Sequence, residues 1–195
     1  FFFCDFKNLT IGKRLLASFF QSVTTRTAGF NTVEISDMTE ASKAVMILLM
    51  LVGGSPGSTA GGIKTTTFTV LLLNAVATFR NQESAGAFGR RLEYHVIKNA
   101  ATIAMLYFVL FFCGGIAISV REGLPLLDCL FEAASAAGTV GLTLGITPGL
   151  HLFSRMILVL LMYLGRVGGL TLIYAVYQGR NKGNAKLPLE KITVG

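Results

Sequence analysis

The sequence predicts an all-α integral membrane fold, built from repeated units of membrane helix, short re-entrant helix, irregular strand and membrane helix. Three observations carry this. Of the 195 residues, 52% are hydrophobic and only 14% are charged, with a mean hydropathy of +0.64, whereas a soluble domain carries about a quarter charged residues. Apolar segments of two lengths alternate, some long enough to cross a bilayer and others too short. The chain also resembles itself when shifted by 112 residues.

Phe1 to Asn8 reads as the exit from a truncated membrane helix. With no initiating Met and no charged n-region before a cleavage site, the chain is expected to be the C-terminal part of a longer polypeptide. Ile11 to Thr25 is too short and too polar to span, because a helix needs about 20 apolar residues to cross, and so it is a re-entrant candidate. Ala41 to Val52 is apolar but short. Gly53-Gly54-Ser55-Pro56-Gly57-Ser58-Thr59-Ala60-Gly61-Gly62 interrupts it, and Ile63 to Phe79 resumes an apolar helical pattern. Together these read as one crossing broken in the middle, a break tolerated at membrane depth only where protein or a water-filled cavity surrounds it.

Arg80 to Glu93 is polar and should form a loop at one membrane face. Val96 to Val120 is the cleanest spanning helix, and Gly123 with Pro125 turns the chain after it. Leu126 to Ala137 is again short and helix-like, ending in Gly138-Thr139-Val140-Gly141-Leu142. A polar turn through Pro148-Gly149 leads to His151 to Val176, a second full crossing that carries Arg166. The tail from Gln178 is basic. Because Lys and Arg favour the cytoplasmic side, the loop holding Arg90 and Arg91 and the tail holding Arg180, Lys182 and Lys186 are expected in the cytoplasm. The short helices then enter from outside.

The net charge of +7 does not form one compact patch, so it points to anionic lipid and not to nucleic acid. Cys4, Cys113 and Cys129 lack metal-ligand spacing, and His95 and His151 have no companion ligands.

The 112-residue shift aligns Leu15 with Leu127, Phe19 with Phe131, Thr27 with Thr139 and Gly29 with Gly141. Without a gap it also pairs Ser42 with Ser154, Met50 with Met162 and Gly53 with Gly165. Each copy carries a Thr-x-Gly-apolar motif between a short helix and a long one. Such a motif has a chemical use. Successive carbonyls turned to one axis replace the hydration shell of a cation, as in potassium filters, and glycine permits the dihedrals required. Re-entrant helices with their C-terminal ends toward the axis add negative dipole potential.

On these residues the chain resembles the Trk/Ktr/HKT superfamily of potassium transporters. Ser22 to Thr32 is similar to the family's third pore segment, Gly138 to Leu142 to its fourth, and Gly165 to Gly169 to the middle of its last helix. The motifs and the basic tail are most like the bacterial Ktr membrane subunit. The resemblance implies four pore repeats around one pathway, of which this chain supplies the last two. Residues 1–93 form the third repeat, with a gate loop at 53–64 and a cytoplasmic loop at 80–93. Residues 94–178 form the fourth repeat, and 179–195 a cytoplasmic tail. The implied filter is Thr27, Ala28, Gly29 and Phe30 with Thr139, Val140, Gly141 and Leu142, binding K+ at its carbonyls.

The resemblance further implies that the loop from Gly53 to Gly62 obstructs the pathway below the filter. Small side chains keep it narrow, and the hydroxyls of Ser55, Ser58 and Thr59 keep it polar. Arg166 is the most informative charge, since a mid-helix arginine costs at least about 2.5 kcal/mol on insertion scales and faces a partner or an aqueous cavity. It is expected to hydrogen-bond loop carbonyls and repel cations, and the repeat offset sets it opposite Gly54. Lys64 either extends this barrier or lies near the cytoplasmic vestibule. Arg26 is expected to brace the first filter strand, and Glu132 is either its counter-charge or a helix-end brace.

By resemblance the protein works in the bacterial plasma membrane as a multi-pass homodimer on a cytosolic RCK-type ring that binds ATP or ADP. Na+ is implied as activator or coupling ion, and a Trk-type subunit with proton coupling is the alternative. Enzymatic nucleotide hydrolysis is disfavoured. Gly57 to Thr65 looks like a phosphate-binding loop, but that motif needs glycine immediately before the Lys, and Ile63 stands there. No nucleotide is expected on this chain, and a scaffold without a pore would leave the twin motifs unexplained.

Overall fold

The chain folds as two copies of one helical plan, in a computed structural model that describes residues 6, 9–82, 84–87 and 89–167. Helix α1 (Ile11–Thr24) is 14 residues long, about 21 Å at 1.5 Å per residue and thus too short to cross. It buries Gln21 and Thr24 and leaves Ile11, Leu15, Leu16, Phe19 and Val23 exposed.

Helix α2 (Glu40–Leu51) starts at Thr39, whose hydroxyl accepts the Ser42 N–H, and Glu40 in the first turn complements the helix dipole. It stops where Gly53 and Gly54 begin. Helix α3 (Thr65–Phe79) resumes on the far side. Two helices with an intervening loop therefore stand where the sequence suggests one broken crossing.

The 80–93 segment departs from the all-α expectation. It contains a two-stranded antiparallel ladder, β1 (Gly86–Ala87) with β2 (Arg90–Arg91), closed by Gly89 at φ +75°. A reversal this tight needs a residue that tolerates the left-handed region.

Helix α4 (Tyr94–Glu122) has 29 residues, and among the described residues it alone is long and apolar enough to cross a bilayer by itself. Gly123, at φ +69°, terminates it and donates its N–H to the Ser119 carbonyl at 2.9 Å. Helix α5 (Leu126–Ala137) matches its predicted span and is buried along nearly its whole length. Its alanines let neighbours approach closely. Helix α6 (Leu152–Val167) follows a 3₁₀ turn at Thr147–Gly149. The remainder of the predicted second crossing and the basic tail lie outside the described residues.

The core sits on α5. Phe131 and Cys129 of that helix, Met46 and Met50 of α2 and Ile118 of α4 are fully buried together. Helices α2, α4 and α6 pack around it, and α3 packs on α4. Gly114 and Gly115 make this possible, since a Cβ there would meet Leu161 at 2.8 Å and Leu130 at 2.5 Å. Tyr107 donates its hydroxyl to the Gly165 carbonyl at 3.1 Å, joining α4 to α6. The two copies are joined by an ion pair, Lys43 of α2 to Asp128 of α5 at 3.1 Å. Cys129 is buried and Cys113 exposed, and the two are not bonded to each other.

Candidate functional site

Both Thr-x-Gly strands leave their short helices tied to the last helical turn, through different hydrogen bonds. After α1, the Ala28 and Gly29 N–H groups both donate to the Thr24 carbonyl at 3.2 Å. After α5, the Thr139 N–H donates to Ala136 at 3.1 Å and the Val140 N–H to Ser135 at 2.9 Å. Thr27 and Gly29 then take positive φ of 63° and 72°, and Thr139 and Gly141 take 53° and 91°. Positive φ at alternate residues can turn successive carbonyls to one side, the arrangement a cation filter requires. The repeat seen in sequence is thus repeated in backbone hand.

The two strands touch. A Cβ on Gly29 would fall 2.3 Å from the Val140 carbonyl oxygen, while one on Gly141 would meet nothing within 4 Å. Glycine is needed at Gly29 for space as well as for φ, and at Gly141 for φ. The Thr24 hydroxyl donates to the Phe30 carbonyl at 2.6 Å and ties the first strand back to its helix. Ala28 and Phe30 are exposed, and Val140 and Leu142 are buried.

Glu132 braces the second copy. One carboxylate oxygen accepts the Thr143 hydroxyl at 2.6 Å and the Leu144 N–H at 2.9 Å. The other accepts the Thr147 hydroxyl at 2.9 Å. The alternative of Glu132 as counter-charge to Arg26 is not realised, because both of its oxygens are engaged by the segment after the strand. Arg26 is exposed; its backbone N–H donates to the Val23 carbonyl at 3.0 Å, but its guanidinium makes no hydrogen bond or ion pair with a described residue, so the expected side-chain brace of the first strand is not formed here. Replacing Glu132 with alanine leaves three donors without their acceptor. A hydrogen bond to a charged group contributes about 1.5–3 kcal/mol, so the full-length transporter should lose several degrees of apparent melting temperature in detergent. An unchanged melting temperature would count against the brace.

The 53–64 loop is clasped at its base. Val52 and Ile63 form an isolated parallel bridge, with the Gly53 N–H on the Ile63 carbonyl at 2.8 Å and the Ile63 N–H on Leu51 at 3.0 Å. A Cβ on Gly53 would lie 2.0 Å from the Gly61 carbonyl oxygen, so only glycine lets the two arms close. Gly61 and Gly62 at the base are buried, whereas Ser55, Pro56, Gly57, Ser58 and Thr59 at the tip are exposed. Within the loop the Ser58 hydroxyl donates to the Ser55 carbonyl at 2.7 Å. Lys64 donates to the Ser58 carbonyl at 3.2 Å and to the Ala60 carbonyl at 2.6 Å. Its charge therefore closes the loop on itself, a contact compatible with either of the two roles the sequence leaves open.

Two side chains of the second copy reach this loop. Arg166 of α6 donates to the carbonyl of Thr59, at the exposed tip of the loop, and not to that of Gly54, which the repeat offset set opposite it. The hydroxyl of Thr139, in the strand after α5, accepts the Gly61 N–H at 2.9 Å. A cavity of about 580 Å³ is lined by Ser135, Thr139, Gly141, Met162 and Arg166 among others. A second, open cavity of about 450 Å³ lies between residues 31–36 and Thr143–Gly145. Sequence reasoning named Thr139 for its backbone and missed its side chain. It also missed Thr143 and Thr147, whose hydroxyl spacing carried no signal without Glu132 opposite.

Two short helices each followed by a strand of alternating hand, with one long apolar helix between the copies, fit a helical membrane protein. Residues 5–183 match the family described as TrkH: Cation transport protein, and the chain belongs to that family, one of transport proteins and not of enzymes. It is 37% identical over 188 residues to Ktr system potassium uptake protein B of Bacillus subtilis, covering 96% of this chain and 42% of that protein. It is 39% identical over 192 residues to the potassium/sodium uptake protein NtpJ of Enterococcus hirae, covering 95% and 43%. The chain thus spans less than half the length of these relatives. The crystal structure of the potassium transporter TrkH from Vibrio parahaemolyticus superposes with a TM-score of 0.73 at 21% identity, covering 87% of this chain and 38% of that one, which establishes the shared fold.

Proposed function

We propose that this chain forms the third and fourth pore repeats of a gated potassium-uptake transporter in the bacterial plasma membrane. The observation that carries the reading is the twin strand geometry, positive φ at Thr27 and Gly29 and again at Thr139 and Gly141. In this reading K+ sheds its water onto the carbonyls of Thr27 to Phe30 and Thr139 to Leu142. Two further strands from the N-terminal half of the same polypeptide complete the ring.

The 53–64 loop is the gate, and Lys64 and Arg166 place positive charge beneath the filter while it is closed. The chain pairs as a homodimer on an RCK-type cytosolic ring that binds ATP or ADP, with the 80–93 loop and the tail in the cytoplasm. Identity with a relative named Ktr system potassium uptake protein B supports the Ktr type over the Trk type. Identity with a potassium/sodium uptake protein supports Na+ as activator or coupling ion.

The test is rubidium uptake by the full-length transporter in liposomes, with K+ or Na+ as competitor. Uptake suppressed by K+ at concentrations where Na+ has little effect is expected. Equal suppression by the two ions would reject potassium selectivity, and absence of flux would reject the pore.

A further inference from the structure

We infer that the Thr139 hydroxyl docks the 53–64 loop onto the filter strand, making Thr139 a positioning residue for the gate as well as a filter residue. The inference rests on the gate reading of that loop. Arg166 holds the exposed tip of the loop through Thr59, but the buried base has a separate attachment. There the Gly61 N–H donates to Thr139 Oγ1 at 2.9 Å. A Cβ on Gly61 would lie 2.4 Å from that oxygen and 2.6 Å from Thr139 Cγ2, so the amide reaches the hydroxyl only because position 61 is glycine. Gly62 adds to the seat, with a Cβ there 3.4 Å from Gly138 Cα. Both residues are buried.

The threonine is itself held in an uncommon conformation. Thr139 is β-branched and sits at φ +53°, a region such residues rarely adopt unless the surroundings enforce it. Thr27, its counterpart in the other copy, has nearly the same φ of +63°, yet the loop amide goes to Thr139 alone of the two. The backbones of the two repeats agree and their side-chain partners differ. The loop arises in the third repeat and leans on the fourth, so one repeat's gate is seated on the other's filter. Withdrawing the loop takes the Gly61 donor away from a filter hydroxyl on the wall of the cavity of about 580 Å³ that Arg166 also lines. The state of the gate is thereby felt at the filter itself.

A nitroxide on a Ser55→Cys variant of the full-length transporter, otherwise cysteine-free and reconstituted in liposomes, reports loop mobility. Thr139→Val keeps the shape and removes the acceptor. Losing one neutral hydrogen bond shifts a docked-to-released ratio by about 3- to 10-fold, so the mobile spectral component should grow by that factor. Thr139→Ser, which keeps the hydroxyl, should restore the docked spectrum. An unchanged spectrum in Thr139→Val overturns the inference and leaves the gate reading to the Arg166 experiment. A mobile loop with unchanged rubidium flux upholds the docking and rejects the gate reading. If Thr139→Val does not assemble, Gly61→Ala breaks the same contact from the loop side, and an immobile label there overturns the inference equally.

Discussion

Replacing Arg166 with alanine is expected to raise rubidium flux through the full-length transporter by about 10-fold or more. The guanidinium donates to the Thr59 carbonyl at the loop tip, and a charged hydrogen bond of about 1.5–3 kcal/mol converts to roughly 10- to 100-fold in the closed-to-open ratio. The substitution also removes a positive charge from the path of a cation, which acts in the same direction. Lysine should fall between wild type and alanine, since it keeps the charge but lacks the planar fork that reaches the carbonyl. Shortening the loop by removing Ser55 to Thr59 should raise flux as well, and adding Arg166→Ala to that deletion should bring little further gain. Effects on one shared contact are not additive. Full additivity, or normal expression with wild-type flux in both single variants, would reject Arg166 as the latch.

Much of this architecture was legible from spacing. The short helices were readable because segments of twelve to fourteen residues, interrupted by polar ones, cannot cross a bilayer, and α5 has the predicted bounds. The twin Thr-x-Gly strands were readable because Thr27 and Thr139, like Gly29 and Gly141, recur at one offset, and the structure repeats the sign of their φ. Of the contacts between the copies, that of Arg166 with a loop carbonyl was expected, but the ion pair was not readable. Lys43 and Asp128 stand 85 positions apart, and no local pattern pairs them.

Glu132 illustrates the same limit from the other side. A carboxylate in an alanine-rich short helix clearly needed donors, and Arg26 was the charge at hand. The donors proved to be hydroxyls and an amide of the chain that follows the filter, reached only because that chain folds back over the helix. The 80–93 hairpin was missed because two-residue strands carry no alternation to read.

Gly29→Ser is expected to reduce discrimination between K+ and Na+ by about 10-fold, more than Gly141→Ser. Both positions require positive φ, of 72° and 91°, and a non-glycine residue there costs on the order of 1–2 kcal/mol. Gly29 carries a second constraint. Its Cβ would stand 2.3 Å from the Val140 carbonyl oxygen, whereas a Cβ on Gly141 would meet no described atom within 4 Å. Serine at Gly29 must therefore displace a carbonyl of the neighbouring strand, so one substitution disturbs both filter segments. Serine at Gly141 strains only its own. Rubidium uptake by each variant in competition with K+ and Na+ measures the difference. Wild-type preference in Gly29→Ser would count against these strands lining the filter. Equal losses in the two variants would show that backbone strain alone sets selectivity and that the contact between the strands has no part in it.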